Sequence, residues 1–325
     1  MRFIMDKRDI IVNGYAYPFI EKDTLDKTLP YLTFLSIFSY HIKADGSLVS
    51  IDDVQLIDMA ESQNVGPIMA VTNMDESGFD SELVHTILND QEIQNILIDN
   101  ILEIAALKNY YGVNIDFEYI NPSDKELYNE FIRKISIILH DNNYILITSL
   151  APKTSKDQPG ILYEAHDYAV HGEQADFIIL MTYEWGYSYG PPMAVAPLNQ
   201  VERVLRYAVT EIPSEKILMG IPNYGYDWNL PYEKGTRATS LGNEEAINLA
   251  ITKNAPIEFD ETAMTPYFYY NNNSNVVWFE DARSIAAKLS LVTKYDLGGV
   301  SYWNINRFFT QNYVVLESMY NIYKV

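Results

Sequence analysis

The stretch Tyr111-Gly112-Val113-Asn114-Ile115-Asp116-Phe117-Glu118 alternates apolar and polar side chains over a length that suits one β-strand. Residues two apart on a strand point to the same side, so Asn114, Asp116 and Glu118 share one face. Val113, Ile115 and Phe117 share the other. Three polar residues on a strand this apolar cannot all be solvated surface, so their face must point into the molecule.

The chain around this strand repeats one theme: a short apolar run, a loop, then an amphipathic stretch. That alternation predicts βα units and a parallel sheet. Strands are expected at 10–17, 32–40, 66–71, 112–117, 144–150, 177–182, 217–221 and 299–303. Eight such runs, each nearly continuous in apolar residues, suit an α/β fold of the (β/α)8 TIM-barrel type with strands buried on both faces. Between them, helices are expected at 91–109, 198–208 and 280–292. Another begins at a capping box of Ser123 with Glu126 and runs to about His140, burying the stripe Leu127, Phe131, Ile135 and Ile138. The long interval between strands seven and eight holds a helix-like stretch at 244–252, strand-like runs at 266–270 and 275–279, and the turn-prone Asn271-Asn272-Asn273-Ser274. The expected organisation is therefore one barrel over 1–325, with a small α+β insertion at 229–279 between strands 7 and 8.

In a barrel the face of Asn114, Asp116 and Glu118 is the interior. Burying two carboxylates side by side is costly unless they share a proton or are hydrogen-bonded. Like charges so close raise one pKa. A carboxyl kept protonated at the C-terminal rim of a barrel is what a general acid requires. The same pattern would also serve a structural polar ladder paired with Arg or Lys from neighbouring strands.

Composition narrows the classes. Of 325 residues, 48% are hydrophobic, enough for a large core, and 26 are Tyr, whose flat ring and polar tip suit sugar as well as packing. The formal net charge of −21 argues against nucleic acid as a partner. Without cysteine there is no disulfide, thiolate metal site or Cys nucleophile. The five histidines show no metal-ligand spacing and no P-loop or dinucleotide fingerprint appears, so no metal and no cofactor is expected. Residues 1–9 carry no sustained apolar run, so no signal peptide is expected, and no run is long enough to span a membrane.

Four segments in chain order resemble glycoside hydrolase family 18. Gly112, Asp116 and Glu118 match its signature Asp-Gly-x-Asp-x-Asp-x-Glu, with Tyr111 and Asn114 in place of the first two Asp. Met181-Thr182-Tyr183-Glu184 is similar to its Met-x-Tyr-Asp, with Glu for Asp. Gly220-Ile221-Pro222-Asn223-Tyr224-Gly225 and Gly298-Gly299-Val300-Ser301-Tyr302-Trp303 are similar to its seventh- and eighth-strand motifs. The third strand reads Val71-Thr72-Asn73, not the family's Ser-x-Gly-Gly. Within the family, the strings Asn13-Gly14-Tyr15-Ala16-Tyr17 and Phe38-Ser39-Tyr40, together with Asn at 114, resemble the spore cortex-lytic and germination branch of N-acetylglucosaminidases. Members of that branch often carry LysM wall-binding repeats, and none is read in these 325 residues.

The resemblance implies a retaining, substrate-assisted glycosidase acting on an N-acetylated cell-wall polysaccharide, monomeric and associated with the spore or cell wall. It implies catalytic roles for Glu118 as acid, Asp116 as orienter of the substrate acetamide and Tyr183 as a donor to its carbonyl. Asn114 would hydrogen-bond Asp116 and limit its movement, since an amide cannot take up a shared proton. Trp303 would floor the sugar that carries the acetamide, though barrel packing would also account for it. Tyr15, Phe38, Glu184, Asn223 and Tyr224 sit at strand ends facing the same rim, as contacts or supports. Trp185, Tyr187, Tyr189 and Trp228 are read into rim loops, either lining outer subsites or packing. The alternatives in function are a chitin or chito-oligosaccharide hydrolase, a non-catalytic sugar-binding protein on the same fold, and a structural spore-coat protein.

Overall fold

The structure, a computed structural model, describes residues 7–75 and 78–325. Residues 1–6, on which most of the reading of the N-terminus falls, lie outside the described residues.

Eight parallel strands close on themselves. They are β1 (Asp9–Ala16), β2 (Phe34–His41), β3 (Gly66–Thr72), β4 (Gly112–Asp116), β5 (Ile145–Leu150), β6 (Phe177–Leu180), β7 (Ile217–Pro222) and β8 (Gly299–Trp303). Each pairs with the next, and β1 pairs with β8 from Ile11 opposite Gly299 to Gly14 opposite Tyr302, which shuts the barrel. The eight strands expected from the sequence are these eight. Side chains of alternate sense then divide the core. One set, including Val12, Val113, Ile115 and Phe117, packs outward against the helices. A smaller set, including Phe34, Ile68, Ile147, Ile179 and Leu218, fills the barrel interior. At the far end from the site, Asn321–Ile322 adds a short parallel pairing to Asp9 and Ile10.

The helices are set by their ends. Gln91–Lys108 starts where the Asp90 carboxylate accepts the N–H groups of Glu92 and Ile93, and stops at Asn109, which turns left-handed at φ 60°. The capping box at Ser123 and Glu126 does not form. Pro122 opens a 3-10 turn that takes in Ser123, so the helix Lys125–Asp141 begins at Asp124 without a side-chain cap. The Asp124 carboxylate is occupied by His85 Nδ1, 2.8 Å away.

After β7 the chain builds a second, antiparallel sheet of five short strands over 225–278, with the helix Asn243–Thr252 packed on it. Its hairpin at 271–274 passes through three consecutive left-handed residues, Asn271, Asn272 and Asn273, a conformation Asn tolerates better than other non-glycine residues. Trp228, read from sequence into a rim loop, is instead in a strand of this sheet. It is fully buried, with its indole N–H on the Gly190 carbonyl at 2.9 Å, so it packs and lines no subsite.

Gly112 shows how tightly the barrel closes at the base of β4. A Cβ there would lie 2.3 Å from Ile145 Cγ1 and 2.7 Å from the Ile145 carbonyl of β5. Gly112→Ala therefore overpacks a strand junction, and urea denaturation should show a loss of about 1–3 kcal/mol in unfolding free energy. An unchanged midpoint would mean that β4 and β5 have more room than this register allows.

Candidate active site

β4 ends at Asp116, and Glu118 stands two residues beyond it, where Tyr119 turns left-handed at φ 56°. Both carboxylates line one cleft of about 480 Å³ at the C-terminal mouth of the barrel. Tyr183 and Glu184 reach it from the end of β6, Trp303 from the end of β8 and Phe38 from β2. Tyr183 fits because Gly220 on β7 has no side chain: a Cβ there would lie 2.8 Å from the Tyr183 ring. Trp303 is clamped by steep aromatic contacts to Phe38 at 4.8 Å, Tyr15 at 5.2 Å and Tyr17 at 6.0 Å.

A second lobe of about 460 Å³ adjoins the first and shares Tyr17, Glu184 and Trp303 with it. The two lobes meet at these three residues. Asn223 and Tyr224 belong to the second lobe. The Asn223 amide donates to the carbonyls of Asn304 at 2.9 Å and Arg307 at 2.6 Å, holding the loop after β8. Tyr224 and Tyr226 both donate to Glu184 Oε1, the latter at 2.9 Å. Trp185 and Tyr187 line the acid lobe.

Two residues read as site contacts are not on its walls. Tyr15 and Asn114 are fully buried and line neither lobe. They join Ser149 of β5 in a closed ring. Asn114 Nδ2 donates to the Tyr15 hydroxyl at 2.6 Å, Tyr15 reaches Ser149 Oγ at 2.8 Å, and Ser149 donates to Asn114 Oδ1 at 3.2 Å. The expectation that Asn114 hydrogen-bonds Asp116 is therefore corrected. The amide bonds within the ring through both Oδ1 and Nδ2, no hydrogen bond joins it to Asp116 among the described residues, and Asp116 Oδ1 is buried without a partner there.

The electrostatics follow from this setting. Burial pushes Asp116 up to about 7, against a smaller downward pull from the Ser149 hydroxyl nearby. Burial, then the charge of Asp116, holds Glu118 well above the ordinary carboxylate range. Burial raises Tyr183, with Tyr15 and Asp116 adding to it. No cation figures among the influences on either acid, so the alternative of a ladder paired with Arg or Lys is not what this face builds.

Sequence reasoning passed over His166 and Ser149. His166 Nδ1 accepts the Ala151 N–H at 2.8 Å, so its Nε2–H donates to the Phe117 carbonyl at 3.0 Å. Burial lowers its pKa to about 4, so it stays neutral in this bridge between the ends of β4 and β5. Nothing in the sequence pairs position 166 with 117 until the barrel is closed. Among the described residues, no three His, Asp or Glu side chains are grouped to hold a metal ion, and no helix is long and apolar enough to cross a membrane.

The barrel, with paired carboxylates at the end of β4 and Trp303 at the end of β8, is that of a glycosidase. The model of glycosyl hydrolases family 18 matches residues 15–307, and the chain belongs to that family. It is 43% identical over 330 residues to the cortical fragment-lytic enzyme of Bacillus subtilis strain 168, covering 98% of this chain and 76% of that protein. The crystal structure of the spore cortex-lytic enzyme SleL of Bacillus megaterium superposes with a TM-score of 0.95 at 39% identity, covering 99% of this chain and 76% of that one. A chitinase from Chromobacterium violaceum superposes with a TM-score of 0.86 at 25% identity, covering 95% and 98%.

The raised carboxyls carry a stability consequence. Their folded pKa values lie above the unfolded ones, so the stability they contribute is complete at low pH. It is lost as pH rises through the folded values. Asp116→Asn and Glu118→Gln should each unfold at higher temperature than the parent at about pH 8, with the gap closing toward about pH 4. A gap of the same size at both pH values would show that burial does not set these two ionisations.

Proposed function

We propose that this chain is a retaining hydrolase of N-acetylglucosamine linkages in peptidoglycan, in the spore cortex, and that the substrate's own acetamido group serves as nucleophile. The observation that carries the reading is the division of labour between the two acids. Glu118 stands at the cleft with its pKa held well above the ordinary carboxylate range, and Asp116 keeps one buried oxygen with no hydrogen-bond partner among the described residues. An unpaired carboxylate oxygen there is costly unless a ligand donor meets it. The acetamido N–H is such a donor.

In this reading Glu118 gives its proton to the glycosidic oxygen as the C1–O bond breaks. The acetamido carbonyl oxygen bonds to C1, giving an oxazolinium ion. Asp116 accepts the N–H, orienting the group and balancing the charge on the ion. Tyr183 donates to the carbonyl oxygen, and Trp303 floors the ring. Glu118, now a carboxylate, takes a proton from water, whose oxygen attacks C1 and reopens the oxazoline with overall retention. Glu184, Asn223 and Tyr224 shape the neighbouring lobe, and Phe38 supports Trp303. Tyr15 and Asn114 act from behind the wall.

The cortex assignment rests on the named activity of the relatives. Chitin or chito-oligosaccharide is the second reading, favoured by the likeness to a chitinase. A merely sugar-binding or structural coat role would leave no use for a pair of buried acids. With these roles go a monomeric, spore-associated protein, one catalytic unit over 1–325 with 229–279 inserted in it, and no nucleic-acid or membrane partner.

Cortex fragments, vegetative peptidoglycan and chitin oligomers incubated with the protein should give N-acetylglucosamine reducing ends by mass spectrometry, with cortex cleaved fastest. The first product should be the β-anomer by proton NMR, and Glu118→Gln should cut the rate by about 10²–10⁴-fold. Cleavage of none of the polymers, or equal cleavage by Glu118→Gln, would sink the enzymatic reading. Faster cleavage of chitin would move the substrate to the second one.

A further inference from the structure

β3 and β4 run in register until Thr72 lies opposite Asp116, and there the ladder stops. Glu118 therefore has no strand partner for its own peptide groups. Asn73, the residue after β3, takes that place with its side chain. Its Oδ1 accepts the Glu118 N–H at 2.9 Å, and its Nδ2 donates to the Glu118 carbonyl at 2.9 Å. The remaining Nδ2 hydrogen reaches the Asp80 carbonyl at 3.1 Å, while the Asp80 N–H returns to the Asn73 carbonyl at 2.9 Å. Asn73 is fully buried and lines neither lobe.

We propose that Asn73 is the positioning residue of the catalytic acid, a role that rests on Glu118 being that acid. The N–H and carbonyl of Glu118 flank its Cα. Holding both on one planar amide fixes the two soft dihedrals between them, and with them the direction in which the side chain leaves the backbone. Few side chains can do this. The group must accept once and donate twice, as an amide does, on an arm as short as that of Asn. A carboxylate would offer the acceptor and no donor, facing two carbonyl oxygens. It would also set a further negative charge close to an acid that must keep its proton. His166 fixes the Phe117 carbonyl from the other side, so the turn that carries Glu118 is gripped from β3 and from the loop after β5. Both grips are neutral, so neither pulls the proton off Glu118.

A residue that aims the acid matters in proportion to how much the leaving group needs a proton. Aryl β-glycosides of N-acetylchitobiose, with leaving groups from 2,4-dinitrophenol to phenol, separate this from a general loss of fold. Asn73→Ala should lower kcat/KM about 30-fold on the phenyl glycoside and under about 3-fold on the dinitrophenyl one, so that the Brønsted plot steepens. Asn73→Asp, of the same size, should steepen it likewise, because it keeps the acceptor and loses both donors. Binding of a thiazoline mimic of the oxazolinium ion should be unchanged in both variants. Parallel Brønsted plots for parent and variants, or no loss on the phenyl glycoside, would overturn the role of Asn73 while leaving the glycosidase intact. Failure of the parent protein to cleave any glycoside in the series would remove the glycosidase reading and this inference with it.

Discussion

The constraint on which the structure turns is the burial of Asp116 and Glu118 at the end of one strand. Removing two carboxylates from water to the same place costs more than any single contact nearby returns, and a folded chain tolerates it only by withholding charge from one of them. In the proposed mechanism that withheld charge is the chemistry, because a protonated carboxyl at neutral pH is an acid ready to act. The barrel supplies the burial: eight strands bring apolar walls and aromatic rings to one mouth, and β4 ends just short of the surface there.

The support around these acids is built almost wholly from dipoles. The ring of Asn114, Tyr15 and Ser149 satisfies itself and carries no net charge. Asn73 and neutral His166 hold backbone, not carboxylate. A lysine or arginine in any of these places would stabilise the ionised acids and lower their pKa values. The Asn at 114 belongs to this pattern. An Asp there would be a third buried carboxylate on the strand, and it would lack the donor that Tyr15 receives.

The sequence made the barrel legible because each strand is read from local periodicity, and local periodicity survives folding. The acid pair was legible for the same reason, since two residues on one strand need no partner to declare their common face. What could not be read were relations between distant positions. Ser149 and His166 acquire their partners only through closure, and the Asn114 amide turned to Tyr15, 99 positions away in the chain, and not to Asp116 along its own strand. Ser123 failed as a cap because one residue, Pro122, moved the start of a helix. Trp228 passed for a rim residue until the segment that carries it became a buried strand of a second sheet.

The third strand carries the most instructive departure. In place of the family's Ser-x-Gly-Gly it reads Val71-Thr72-Asn73, which by motif alone is merely a mismatch. In the fold the Asn supplies what the backbone ladder stops supplying at Thr72, a peptide-like group for the backbone of Glu118. A strand end gives Glu118 freedom from the ladder, so its carboxyl can stand over the cleft. A side-chain amide then removes the surplus freedom without adding charge. Release and restraint come from neighbouring strands, so in the proposed role of Glu118 the aim of the acid depends on β3 as much as on the strand that carries it.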